Sequence, residues 1–148
     1  MSCDPRPRSE DWDYTLEFGL NPLAPTVARR ALRLILDMHG VREVAGEAGL
    51  LAAELVTNSH RHAPGPAFLS VRRHGERGVR VSVFDTNSTL PALDADWDQR
   101  PDAEYGRGLG LIDRCADKWG GVAIGEEVFG LGGKAIWFEL AEEGRDGA

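Results

Sequence analysis

A chain of 148 residues, 42% of them hydrophobic, can bury one core without disulfide or metal staples, so a single domain is expected. Its formal net charge of -7 argues against a general nucleic-acid binder, because such proteins neutralise phosphates with a basic surface. Cys3 and Cys115 are too few for a disulfide framework or a zinc cluster, no apolar run nears the ~18 residues of a membrane span, and the N-terminus lacks a signal-peptide core, which together point to the cytoplasm.

Residues 1–12 carry scattered charge without periodicity and read as a disordered tail. Tyr14 to Phe18 alternates apolar and polar residues as a half-buried strand does, and Asn21-Pro22-Leu23-Ala24-Pro25 breaks it. Pro25 suits the first turn of a helix running to Met38, in which Val27, Ala31, Ile35 and Met38, flanked by Leu32 and Leu36, form one apolar stripe. His39-Gly40 ends it. A longer helix is predicted from Arg42 to His62, stopped by Ala63-Pro64-Gly65-Pro66. Phe68 to Arg73 and Val79 to Phe84 form a hairpin through Gly75-Glu76-Arg77-Gly78.

The polar stretch from Asp85 to Tyr105 is long for a connection and ends in a loop with glycines at alternate positions, Gly106, Gly108 and Gly110. Leu109, Ile112, Ala116 and Trp119 then mark a short helix stopped by Gly120-Gly121, and strands Val122 to Phe129 and Lys134 to Leu140 close the chain. This order predicts an α+β fold over residues 13–141: a two-layer α/β sandwich with a mixed, mostly antiparallel sheet and its helices on one face. Residues 142–148 read as a second tail. Trp119 and Trp137 are assigned to the core and Cys115 to a buried packing role, whereas Trp12 and Trp97 fall in polar segments as tail or loop contacts.

Three motifs stand out. The glycine loop can cradle phosphate with its backbone N–H groups just before a helix start, or it is a plain turn. Glu54 and Asn58 are four residues apart on one helix face, with His62 continuing the row, and can hold a water-rich Mg²⁺, or they form a solvated polar stripe. Asp85 ends a strand where its carboxylate can accept a hydrogen bond from the adenine amine, or it caps a turn with Thr86-Asn87-Ser88.

Taken in order, Glu54-x-x-x-Asn58, Asp85 and Gly106-x-Gly108-x-Gly110 resemble the N box and the two glycine boxes of the GHKL (Bergerat-fold) ATPases. The fuller runs Glu54-Leu-Val-Thr-Asn58-Ser-His-Arg-His62 and Gly108-Leu-Gly110-Leu-Ile-Asp-Arg are closest to the stand-alone branch related to anti-sigma-factor serine kinases. The resemblance implies ATP and Mg²⁺ as cofactors, with Asn58 as the metal ligand and Glu54 as general base. It places Asp85 on the adenine amine, Gly106, Arg107, Gly108, Leu109 and Gly110 over the phosphates, and His62 near them. It departs at Asn87, where the family has glycine, and at Lys134, where a threonine usually follows the glycine now at Gly133.

The function so implied is a protein serine/threonine kinase acting on a small anti-sigma-factor antagonist and alternately binding a sigma factor, with no direct nucleic-acid or membrane partner. Homodimerisation is left open. The alternative is a non-catalytic, ATP-gated binding module. A histidine kinase catalytic domain is less favoured, because it normally follows a dimerisation helix pair for which the residues before Tyr14 leave no space.

Overall fold

Strict alternation of buried and exposed residues dictates the central strands. In the computed structural model, which describes residues 11–62, 65–86, 104–124 and 133–143, the strands are β1 (Asp13–Phe18), β2 (Ala67–His74), β3 (Gly78–Asp85), β4 (Lys118–Ile124) and β5 (Gly133–Ala141). They form one sheet in the order β1-β2-β3-β5-β4, and all four neighbouring pairs are antiparallel. The sequence left room for a mixed sheet; the pairings are purely antiparallel. The helices are α1 (Ala24–Met38), α2 (Ala45–His62) and α3 (Glu104–Cys115), which gives the expected two-layer sandwich.

The face of the sheet under the helices is aliphatic. Leu69 and Val71 of β2, Val79, Val81 and Val83 of β3, and Ile136, Phe138 and Leu140 of β5 are buried there, and α2 presents Ala48, Leu51, Ala52, Leu55 and Val56 to the same core. Leu109 and Ile112 of α3 complete it. The opposite face carries charge and aromatic rings: Arg80 lies 4.1 Å over the Trp137 ring and bonds the Glu139 carboxylate at 3.3 Å. Trp137 is therefore half-buried on this second face rather than in the core, while Trp119 packs at the core's edge and donates to Asp113 at 2.9 Å.

Two local expectations are corrected. The buried stripe of α1 is Ala24, Ala28, Leu32 and Leu36, and Val27 and Met38 are 49% and 76% exposed. This helix carries two apolar rows, and the row with small residues faces inward because α1 lies against Gly49 of α2, where a Cβ would meet the Arg29 carbonyl at 3.0 Å. Secondly, α3 ends at Cys115, so Trp119, Gly120 and Gly121 belong to β4. Gly120 sits opposite Trp137, and a Cβ there would come within 2.9 Å of the indole, so the glycine answers to cross-strand packing instead of stopping a helix.

The helix and strand ends otherwise follow the sequence closely. Pro25 lies in the first turn of α1, and Gly40 takes φ +80° just beyond its end, a conformation that costs glycine nothing. Trp12, assigned to the tail, is buried and stacked 4.5 Å from His39, and its carbonyl accepts from Arg73 N at 3.2 Å. Glu142 accepts from Glu43 N at 2.9 Å, so the chain beyond β5 is also tied down at this point. Partial burial, then the Glu47 carboxylate, push the Cys115 thiol up, in keeping with a packing role. Among the described residues no helix is long and apolar enough to cross a membrane.

Two glycines of α2 should respond oppositely to alanine. Gly46 has nothing within 4 Å of a Cβ, so Gly46→Ala is expected to stabilise by up to about 1 kcal/mol through helix propensity. Gly49→Ala must push against the Arg29 carbonyl and is expected to destabilise by about 1–3 kcal/mol, both read by urea denaturation.

Candidate functional site

Four buried side-chain atoms among the described residues have no hydrogen-bond partner in the protein: Asn58 Nδ2, Ser59 Oγ, His60 Nε2 and Thr86 Oγ1. Three belong to one turn near the end of α2 and the fourth follows β3. Leaving a buried polar atom unpaired costs about 1–3 kcal/mol, so such atoms gather where a ligand or ordered water completes the hydrogen bonding. Asn58 is only 5% exposed and stands one helical turn beyond Glu54, which is half-buried on the same face. Helix α2 packs on α3, the element that carries the glycine motif, as well as on β2 and β3.

Asp85 is the last residue of β3 and is buried. Register places it directly across from Lys134, the second residue of β5. The Lys134 ammonium donates to both carboxylate oxygens, at 3.0 Å to Oδ1 and 2.8 Å to Oδ2, and each side chain is 3% exposed. Gly133 permits this meeting, because any Cβ there would run into the Asp85 carbonyl and the Phe84 ring. The two buried groups therefore satisfy each other's hydrogen bonding within one ion pair.

The glycine motif differs most from its expected form. Gly106, Arg107, Gly108, Leu109 and Gly110 lie within α3, which begins at Glu104, and not in a loop ahead of it. Leu109 is fully buried in the core, so its side chain is committed to packing. The side chains of Gly106 to Gly108, the His62 side chain, Asn87 and Trp97 lie outside the described residues. His62 is the last residue of α2. Sequence reasoning did not single out Ser59 or Thr86, whose only signal was their position beside the motifs, and it marked Lys134 only as a departure from the family, where the structure has an ion pair with Asp85.

Among the described residues no three His, Cys, Asp or Glu side chains converge to hold a metal. An open cavity of about 430 Å³ lies between the segment from Leu20 to Pro25 and Thr57, His60 and Arg61 of α2. It touches neither Asn58 nor Asp85. It is lined in part by His60, whose Nε2 is one of the four unpaired atoms.

No family model and no curated protein matches the chain. A chain in the crystal structure of the SiaB-SiaC complex from Pseudomonas aeruginosa superposes with a TM-score of 0.64 over 89% of this chain and 92% of that one, at 13% identity. The likeness is one of fold.

Removing one partner of a buried ion pair strands the other charge. Lys134→Met is expected to destabilise the protein by about 3–5 kcal/mol, and the double variant Asp85→Leu/Lys134→Met to recover most of that loss, as measured by chemical denaturation.

Proposed function

We propose that the chain is an ATP-binding regulatory protein of the GHKL type, a Mg²⁺-ATP-dependent protein serine/threonine kinase acting on a small antagonist protein in an anti-sigma-factor, partner-switching pathway. The observation that carries the proposal is the buried Asn58, whose Nδ2 has no partner in the protein, one helical turn beyond the half-buried Glu54 on the same face of α2. The sequence motifs support the same reading, and a two-layer fold shared with a chain from a protein–protein complex is in keeping with a partner-binding regulator.

The donor set fits the nucleotide. Asn58 would hold Mg²⁺ through its carboxamide oxygen, since this ion needs few protein ligands when phosphate and water are at hand. Asp85, by the resemblance of its motif, would accept from the adenine amine. The N-terminal turns of α3, which carry Gly106 and Gly108, would supply backbone N–H groups to the phosphates. Bound ATP supplies the transferable γ-phosphoryl group. Glu54 takes the proton of the attacking serine or threonine hydroxyl, and positioning with charge neutralisation contributes the remainder.

Calorimetric titration of the full chain with Mg²⁺-ATP tests the binding half of the proposal. Wild type is expected to bind, and Asn58→Ala to bind about tenfold weaker or worse. With γ-labelled ATP and candidate antagonist proteins, Glu54→Ala is expected to bind ATP normally while transferring phosphate about 10²–10⁴-fold more slowly. Partner affinity that depends on ATP with no label reaching the partner selects the non-catalytic, ATP-gated module instead. Absence of ATP binding by wild type would sink both readings.

A further inference from the structure

We infer that the recess between the turn ahead of α1 and the last turns of α2 seats the acceptor segment of a protein substrate, and that this segment carries an apolar residue next to an acidic one within about three residues of the serine or threonine that receives phosphate. The inference rests on the kinase reading and deepens it, since that reading asks nothing of the substrate beyond a hydroxyl.

The recess encloses about 430 Å³, room for the side chains of a bound peptide. Leu20, Pro22 and Pro25 make its apolar wall, and Leu20 is 58% exposed. This wall is preformed: the two prolines stiffen it, the Asn21 side chain accepts from Leu23 N at 2.8 Å, and the Asn21 carbonyl accepts from Ala24 N at 2.9 Å. A rigid wall has little ordering cost left to meet on binding. The other wall is polar and comes from α2, with Thr57, His60 and Arg61. His60 Nε2 is buried without a partner, and Arg61 is exposed and makes no ion pair among the described residues. No acidic side chain lines the recess, although the whole chain carries a formal charge of -7.

An incoming aliphatic side chain covers the prolines, its neighbour's carboxylate meets the guanidinium, and a peptide oxygen accepts from His60 in the tautomer that carries its proton on Nε2. A free phosphate would satisfy Arg61 and leave the apolar wall bare, and a basic segment would meet the guanidinium as a like charge. Placement along α2 ties the recess to the reaction. Glu54, Thr57 and Arg61 are spaced by three and four residues and share one face of the helix. Thr57 and Arg61 stand about 4.5 and 10.5 Å along the axis beyond the general base. An extended peptide advances about 3.3 Å per residue, so side chains seated in the recess lie about one to three residues from a hydroxyl held at Glu54.

The test uses short peptides with one central serine among alanines and glycines, carrying a Leu-Asp, Leu-Lys or Gly-Asp pair stepped through the flanking positions, arrayed and probed with the full chain and Mg²⁺-ATP. Retained protein reads docking, and label from γ-labelled ATP reads transfer. Wild type is expected to favour Leu-Asp over Leu-Lys by about fivefold or more, in both readouts, at an offset within about three residues of the serine. Arg61→Glu, shown by thermal melt to be folded and by calorimetry to bind ATP, is expected to reverse that preference, and Leu20→Asp to remove the advantage of Leu-Asp over Gly-Asp. Arg72→Glu, the same change of charge at an exposed residue of β2, is expected to keep both preferences. No charge preference, one that Arg61→Glu keeps, or one that Arg72→Glu loses equally would overturn the inference and leave ATP binding and transfer to the true partner standing. Docking that depends on Arg61 but brings no label would keep the recess as a peptide site and overturn its place beside the reaction. A wild type that binds no ATP would overturn the kinase reading, and this inference with it.

Discussion

In the middle of the sheet β3 and β5 pair from Gly78 with Ala141 to Asp85 with Lys134, and that one register decides both the core and the site. Side chains alternate across a strand, so the pairs Val79–Leu140, Val81–Phe138 and Val83–Ile136 fall on the face beneath the helices, and the next pair on that same face is Asp85–Lys134. Slipping by one residue would turn the aliphatic row out to solvent and separate the two charges. The hydrophobic gain from burying that row is what holds an aspartate and a lysine where neither would settle alone. The ion pair is not a source of stability to set beside the core; it is a pair of charges the core compels to meet, and their attraction offsets a desolvation cost of similar size.

The same logic extends to the open face. Arg80 and Glu139 sit opposite each other one residue out of phase with the core row, and the guanidinium also covers the Trp137 ring. His74 approaches Glu139 at 3.3 Å from the far strand. A half-covered sheet needs such polar pairs on its wet side. Here they also shield an aromatic ring that the sequence alone would assign to the interior.

How much was legible in the sequence follows from which forces act locally. The first strand, the hairpin and α2 were readable because alternation, turn residues and helical spacing agree over those stretches. In α1 the period was right and the phase was shifted: Val27, Ala31, Ile35 and Met38 are as well spaced as Ala24, Ala28, Leu32 and Leu36, and which row turns inward is settled by tertiary packing that spacing does not state. Gly120 and Gly121 looked like a helix stop because nothing local reveals that Trp137, many residues away in the chain, lies across from Gly120. At the site, Glu54, Asn58 and Asp85 were legible as a motif, yet the partner of Asp85 was not. Lys134 was visible as an oddity, and what it touches depends on strand pairing, which a single sequence does not state.

The glycine motif shows why a loop and a helix start were hard to separate. Glycine costs about 1 kcal/mol relative to alanine in a helix interior, and α3 carries Gly106, Gly108 and Gly110 among its twelve residues. Local propensity therefore opposes this helix, and the fully buried Leu109 and Ile112 supply what propensity withholds. Those two anchors are the sixth and ninth residues of the helix, three apart and therefore on one face, and they join the core on which α3 and α2 both pack. Packing thus outweighs propensity here, and a glycine run that reads locally as a loop is carried as helix.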